Sequence, residues 1–124
     1  TFCRMVGFRS RYYLKSLAVR QLLIEDYRTI FRDHDAVVTP TMPFVAPRFE
    51  DISRMKPLEM YGADVLTVPP NLTGMPHVSL PCAYVQGLPV GMQLVADHWK
   101  ELDLLEAASA WEKAFEYRFP EVSP

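Results

Sequence analysis

The chain has 124 residues, of which 49% are hydrophobic and 23% charged, proportions that exclude disorder as the starting expectation. No window approaches the ~20 apolar residues a bilayer span requires, and no signal-peptide pattern opens the chain, so a soluble cytoplasmic protein is expected. The two cysteines, Cys3 and Cys82, are far apart in sequence and show no CxxC spacing, which argues against a disulfide scaffold or structural zinc and for a reducing compartment. The net charge of −2 hides an asymmetry. Residues 1–32 hold seven basic side chains against Glu25 and Asp26, and the remainder holds six basic and thirteen acidic ones. The basic residues Arg4, Arg9, Arg11, Lys15, Arg20, Arg28 and Arg32 are interleaved with apolar ones, the pattern of a solvated helix face or a partner-subunit contact rather than of a nucleic-acid patch. No direct nucleic-acid binding and no membrane contact are expected.

Between residues 9 and 33 the apolar side chains Tyr13, Leu17, Ile24 and Phe31 recur in steps of 4, 7 and 7, and no Gly or Pro follows Gly7, which predicts a long amphipathic helix. Residues 36–39, Ala-Val-Val-Thr, read as a short buried strand closed by Pro40. Nine prolines crowd residues 40–89, so neither sheet nor long helix can run throughout. Residues 41–56 read as an extended surface loop whose Met42, Phe44, Val45 and Phe49 need something to pack on. Residues 57–74 read as helical, started by Pro57, broken or kinked at Pro69-Pro70 and stopped by Gly74-Met75-Pro76. A strand over 77–82, a turn over 87–89 and a second strand over 90–96 follow, the last with Val90, Met92, Leu94 and Ala96 on one face. A final helix runs from 101 to about 119 with Leu104, Ala108, Trp111 and Phe115 in steps of 4, 3 and 4. The expected fold is α/β, a small sheet with three to four helices. Three strands and many loop prolines make a thin core, and the chain opens on Thr1 in mid-pattern. A piece of something longer is therefore expected.

Catalytic machinery is hard to assemble from these residues. None of Ser10, Ser16, Ser53, Ser79, Ser109 and Ser123 lies in a GxSxG elbow or an SxxK pattern. Cys82 and His77 lie five apart near one strand, which turns their side chains to opposite faces, and a structural role for Cys82 is expected. His34, His77 and His98 are scattered, so no metal site is expected, and no glycine-rich loop offers a nucleotide site. Asp64 stands alone in an apolar stretch before Val65-Leu66. It either caps the following helix or faces a pocket, where its carboxylate would hold a substrate ammonium.

The segments Arg11-Tyr-Tyr-Leu-Lys-Ser-Leu-Ala-Val-Arg20, Ala36-Val-Val-Thr-Pro-Thr-Met-Pro43 and Pro57-Leu-Glu-Met-Tyr61 resemble successive parts of the amidase signature family. So does Asp64-Val-Leu-Thr-Val-Pro-Pro-Asn-Leu-Thr-Gly-Met-Pro-His-Val-Ser-Leu-Pro-Cys82, followed by Gly87-Leu-Pro-Val-Gly-Met-Gln-Leu94. Gly7-Phe-Arg-Ser10 departs from the glycine-tyrosine-tyrosine-aspartate common in the family. Within the family the match looks most like the branch that frees ammonia from glutamine for tRNA-dependent amidation. The resemblance implies that residues 1–124 are the C-terminal segment of an amidase domain, part of a mixed sheet covered by helices. It implies that the serine nucleophile, bridging serine and lysine base lie in an N-terminal part this chain lacks, so no residue here is catalytic. It further implies that Asp64 is substrate-binding, holding the α-amino group of glutamine. No cofactor is implied on this segment, and ATP and Mg²⁺ would belong to a partner subunit. The implied partners are the missing N-terminal amidase part and the amidotransferase subunits, with self-association expected for the chain alone. The alternatives are a stand-alone, non-catalytic binding or assembly module with this fold and a fragment of a general amidase.

Overall fold

A computed structural model describes residues 12–116. In chain order they form α1 (Leu14–Ile30), β1 (Val37–Pro40), α2 (Phe49–Arg54), α3 (Pro57–Gly62), α4 (Val68–Thr73), β2 (His77–Val85), β3 (Leu88–Val95) and α5 (Glu101–Ala114). The three strands make one antiparallel sheet in the order β1-β3-β2, so the last strand in sequence is the central one. Its register sets Val37 opposite Val95 on one side and His77 opposite the same Val95 on the other.

The core lies on one face of this sheet. Strand residues two apart (Val78 and Leu80, then Met92, Leu94 and Ala96) share that face, and Leu104, Ala108 and Trp111 of α5 pack onto it at helical spacing. Leu80, Leu94, Ala96, Leu104 and Ala108 are buried. The Trp111 indole adds a directed contact, its Nε1–H donating to the Pro81 carbonyl at 2.9 Å, and its ring stacks on Phe115. At the start of α5, Lys100 pairs with Asp103 at 2.7 Å, and this hydrogen bond raises the lysine above its ordinary pKa. α5 ends at Ala114, where Phe115 turns extended, short of the expected end at about 119; residues 117–119, like the start of the expected first helix, lie outside the described residues.

The other helices lie away from this core. α1 contains no Gly or Pro and many strong helix formers, yet none of its side chains is fully buried. α1 packs on α4, Leu23, Ile24 and Tyr27 are half-buried, and burial raises the Tyr27 hydroxyl's pKa. Lys15, Arg20, Arg28 and Arg32 are exposed, but so are Leu14, Val19, Leu22 and, from the expected apolar stripe, Leu17.

Four readings need correction. The described residues contain five helices rather than three to four. The loop expected over 41–56 contains α2, whose Glu50 and Asp51 occupy the first turn and Arg54 the last, each on the side the helix dipole favours. Pro69 and Pro70 do not break a helix; they open α4, where the first-turn N–H groups have no intrahelical partner to lose. The hairpin turn falls on Gln86-Gly87, with φ of 53° and 78°, one residue earlier than expected. Two residues in left-handed backbone form a turn of the primed kind, which matches strand twist and lets β2 and β3 pair from Val85 and Leu88 onward. A bulge between Pro81 and Ala83 absorbs the irregularity the prolines introduce. Gly74 ends α4 as the sequence suggests, at φ +74°, donating to the Pro70 carbonyl at 2.9 Å.

Candidate functional site

The opposite face of the sheet sets polar side chains beside the buried Val95. Thr39, Ser79 and Gln93 share it by strand alternation, and Gly91 lies two residues before Gln93 on the central strand. Above Gly91 the Thr41 and Ser79 hydroxyls meet at 2.7 Å. A Cβ at Gly91 would lie 2.9 Å from the Thr41 oxygen and 3.0 Å from that of Ser79, so the pair closes over this position only because glycine has no side chain. Thr41 N–H also donates to the Gly91 carbonyl at 2.9 Å, which fixes the chain where β1 ends. Gln93 is 2% exposed, and its Nε2 donates to Thr39 Oγ1 at 3.4 Å and to the Leu66 carbonyl at 3.2 Å.

Leu66 belongs to the turn that carries Asp64. The Asp64 carbonyl accepts from Thr67 N–H at 3.0 Å, Val68 N–H at 2.9 Å and the Thr67 hydroxyl at 3.1 Å, which winds this turn into α4. The Asp64 carboxylate is exposed, and no hydrogen bond or ion pair among the described residues engages it. The residue at the α4 N-cap is Thr67, also without a side-chain cap bond. Asp64 therefore contributes to the helix start through its backbone, and its side chain is available to a ligand.

α4 is pinned at its far end as well. His98 Nε2 lies 3.0 Å from the Thr73 carbonyl; since a carbonyl only accepts, that nitrogen carries the proton. Asp97 Oδ1 accepts from the His98 backbone N–H at 2.8 Å and lies 3.5 Å from the ring Nδ1. His77 Nδ1 likewise meets the Met75 carbonyl at 3.0 Å. Among the described residues no three His, Cys, Asp or Glu side chains gather as a metal site. Cys82, at the bulge, is half-buried with Sγ 3.5 Å from the Val90 carbonyl. The Ser16 and Ser53 hydroxyls bond to backbone carbonyls within their own turns, and Ser79 bonds to Thr41. None of these bonds involves a histidine or lysine, the partner a nucleophilic serine needs. Thr39, Thr41 and Gln93 had no distinguishing motif in the sequence, since their meeting depends on β1 lying beside β3.

A small antiparallel sheet covered by α5 on one face and bordered by the Asp64 turn on the other is the α/β unit these residues build. A sequence profile of the amidase family matches residues 4–105, and the chain belongs to that family. It is 44% identical over 124 aligned positions to the A subunit of glutamyl-tRNA(Gln) amidotransferase from Moorella thermoacetica, covering 98% of this chain and 25% of that protein. To the protein of the same name from Geobacillus it is 38% identical over 117 positions, covering 94% and 24%. The crystal structure of the A subunit of glutamyl-tRNA(Gln) amidotransferase from Thermotoga maritima superposes with a TM-score of 0.82 at 30% identity, over 95% of this chain and 26% of that one. A crystal structure of an amidase superposes at 0.74 with 27% identity, over 83% of this chain and 25% of that one. The chain spans about a quarter of the length of the curated relatives it matches.

Proposed function

We propose that this chain serves as the C-terminal segment of a glutamine-hydrolysing amidase, the subunit that releases ammonia for amidation of Glu-tRNA(Gln) or Asp-tRNA(Asn). The observation that carries this reading is the alignment of nearly the whole chain with proteins named as the A subunit of glutamyl-tRNA(Gln) amidotransferase, at 38% to 44% identity. In this role the chain forms one wall of the substrate pocket, and the Asp64 carboxylate receives the α-ammonium of glutamine through a charge-assisted hydrogen bond. Amide hydrolysis proceeds through an acyl-serine whose serine and base come from the rest of the amidase domain. ATP and Mg²⁺ act on a partner subunit, and the complex works in the cytoplasm.

The apolar surface supports a role inside something larger. Leu58, Tyr61 and Phe49 around α2 and α3 are 82%, 78% and 92% exposed. Trp99 is 91% exposed on a left-handed backbone of φ 66°, a conformation that costs a bulky residue about 1–3 kcal/mol. Surfaces of this kind are covered in a working assembly.

Purified alone, the chain is expected to release no ammonia from glutamine or asparagine. Turnover abolished by Ser79→Ala or Cys82→Ala would overturn the reading and place a catalytic site on this segment.

A further inference from the structure

We infer that Gln93 is a positioning residue: its side-chain amide holds the Asp64 turn in place against the sheet. The inference rests on Asp64 receiving the substrate ammonium. Gln93 sits on the central strand, 2% exposed, with Ser79 and Thr39 as its cross-strand neighbours. A buried amide without partners is strongly disfavoured, so its direction is set by the acceptors within reach. Those are Thr39 Oγ1 and, at the shorter distance of 3.2 Å, the carbonyl of Leu66, two residues beyond Asp64.

The turn's other bonds are local. Val65 N–H reaches the Gly62 carbonyl at 3.3 Å, and Thr67 and Val68 N–H reach Asp64 itself. The Gln93 bond is thus the side-chain link, among the described residues, between this turn and the sheet. His98, through the Thr73 carbonyl, fixes the far end of α4. Loss of the Gln93 donor frees one end of this short element while the other stays attached. A carboxylate displaced by about 1 Å no longer meets an ammonium in good geometry, and misplacement of that size weakens the hold on the substrate. A glutamine that merely fills space makes a different forecast, because methionine has nearly its length and volume.

The experiment compares Gln93→Met, Asp64→Asn and the double variant in the complete enzyme, by amide hydrogen exchange and by kinetics with glutamine and with an aliphatic amide lacking the α-amino group. Gln93→Met is expected to speed exchange at residues 65–68 about tenfold and leave Leu94 and Val95 unchanged, as a local opening does. The glutamine KM should rise about tenfold with kcat nearly constant, the aliphatic amide should be unaffected, and the double variant should be no worse than Asp64→Asn, since coupled groups are non-additive. Unchanged exchange at 65–68, additive losses in the double variant, or equal losses for both amides would overturn the role of Gln93. If Asp64→Asn itself leaves glutamine kinetics intact, the reading of Asp64 fails, and exchange at 65–68 alone decides whether Gln93 anchors the turn. Should Gln93→Met not fold, Gln93→Asn keeps the amide but cannot reach Leu66, and the same exchange pattern is expected.

Discussion

Replacing Asp64 by asparagine separates a ligand-binding carboxylate from a helix cap. The structure sets both magnitudes. Asp64 binds the start of α4 through its carbonyl, and no described residue engages its exposed carboxylate, so Asp64→Asn removes no intramolecular contact. Folding stability should therefore change by less than about 0.5 kcal/mol, as for an ordinary surface substitution. A side-chain cap lost to alanine at the same position would cost about 1 kcal/mol, so Asp64→Ala in parallel tests the capping alternative. In the complete enzyme the same change removes a charge-assisted hydrogen bond to the substrate ammonium, worth about 1.5–3 kcal/mol. At 1.4 kcal/mol per decade, kcat/KM for glutamine should fall by about 10–150-fold. Most of the loss should appear in KM, because the ammonium is distant from the reacting amide and is held alike in ground and transition states. The assay is steady-state ammonia release from glutamine, with urea unfolding alongside. Equal losses for glutamine and for an amide without an α-amino group would refute the reasoning, as would a stability loss of about 1 kcal/mol in Asp64→Ala together with normal kinetics in Asp64→Asn.

Leu104→Ala should destabilise the chain by about 2–5 kcal/mol in urea melts, because Leu104 is 3% exposed at the centre of the contact between α5 and the sheet. Gly91→Ala should cost about 1–3 kcal/mol by crowding the Thr41–Ser79 hydroxyl pair, and Ser79→Ala in the same background should recover part of it; unaltered stability in Gly91→Ala would contradict the close approach. Sedimentation of the 124-residue chain should show self-association, because β1 pairs with β3 on one side only and Val38 is 59% exposed; a stable monomer at micromolar concentration with sharp unfolding would contradict this.

What the sequence discloses follows from the range of the interactions involved. The α5 stripe Leu104, Ala108 and Trp111 and the strand face Met92, Leu94 and Ala96 are local periodicities, and the structure packs these two sets together. The bounds of β1, the start of α5 and the stop at Gly74 were legible to within a residue or two for the same reason, whereas α5 ends at Ala114, well before the expected end at about 119. Pro69-Pro70 was misleading because a proline pair is unfavourable inside a helix and costless in its first turn, and sequence alone does not number the turns. The hairpin was displaced because Gln86 takes a left-handed conformation usually left to Asn, Asp or Gly. The polar face was hidden for a different reason. Thr39, Thr41, Ser79, Gly91 and Gln93 come together only through the order β1-β3-β2, a pairing across more than fifty residues that no local pattern encodes. Asp64 was visible as a lone carboxylate in an apolar stretch, whereas its link to the sheet through Leu66 and Gln93 needed coordinates.

The central claim is that this segment completes a glutamine-binding amidase pocket. The direct measurement is glutamine-dependent ammonia release by the complete protein, assembled with its partner subunits and charged tRNA, with wild-type and Asp64→Asn segments side by side. The account predicts turnover in the wild type, a kcat/KM lower by about 10–150-fold in the variant, and little change with an amide that lacks the α-amino group. Equal turnover of glutamine by the two segments would contradict it.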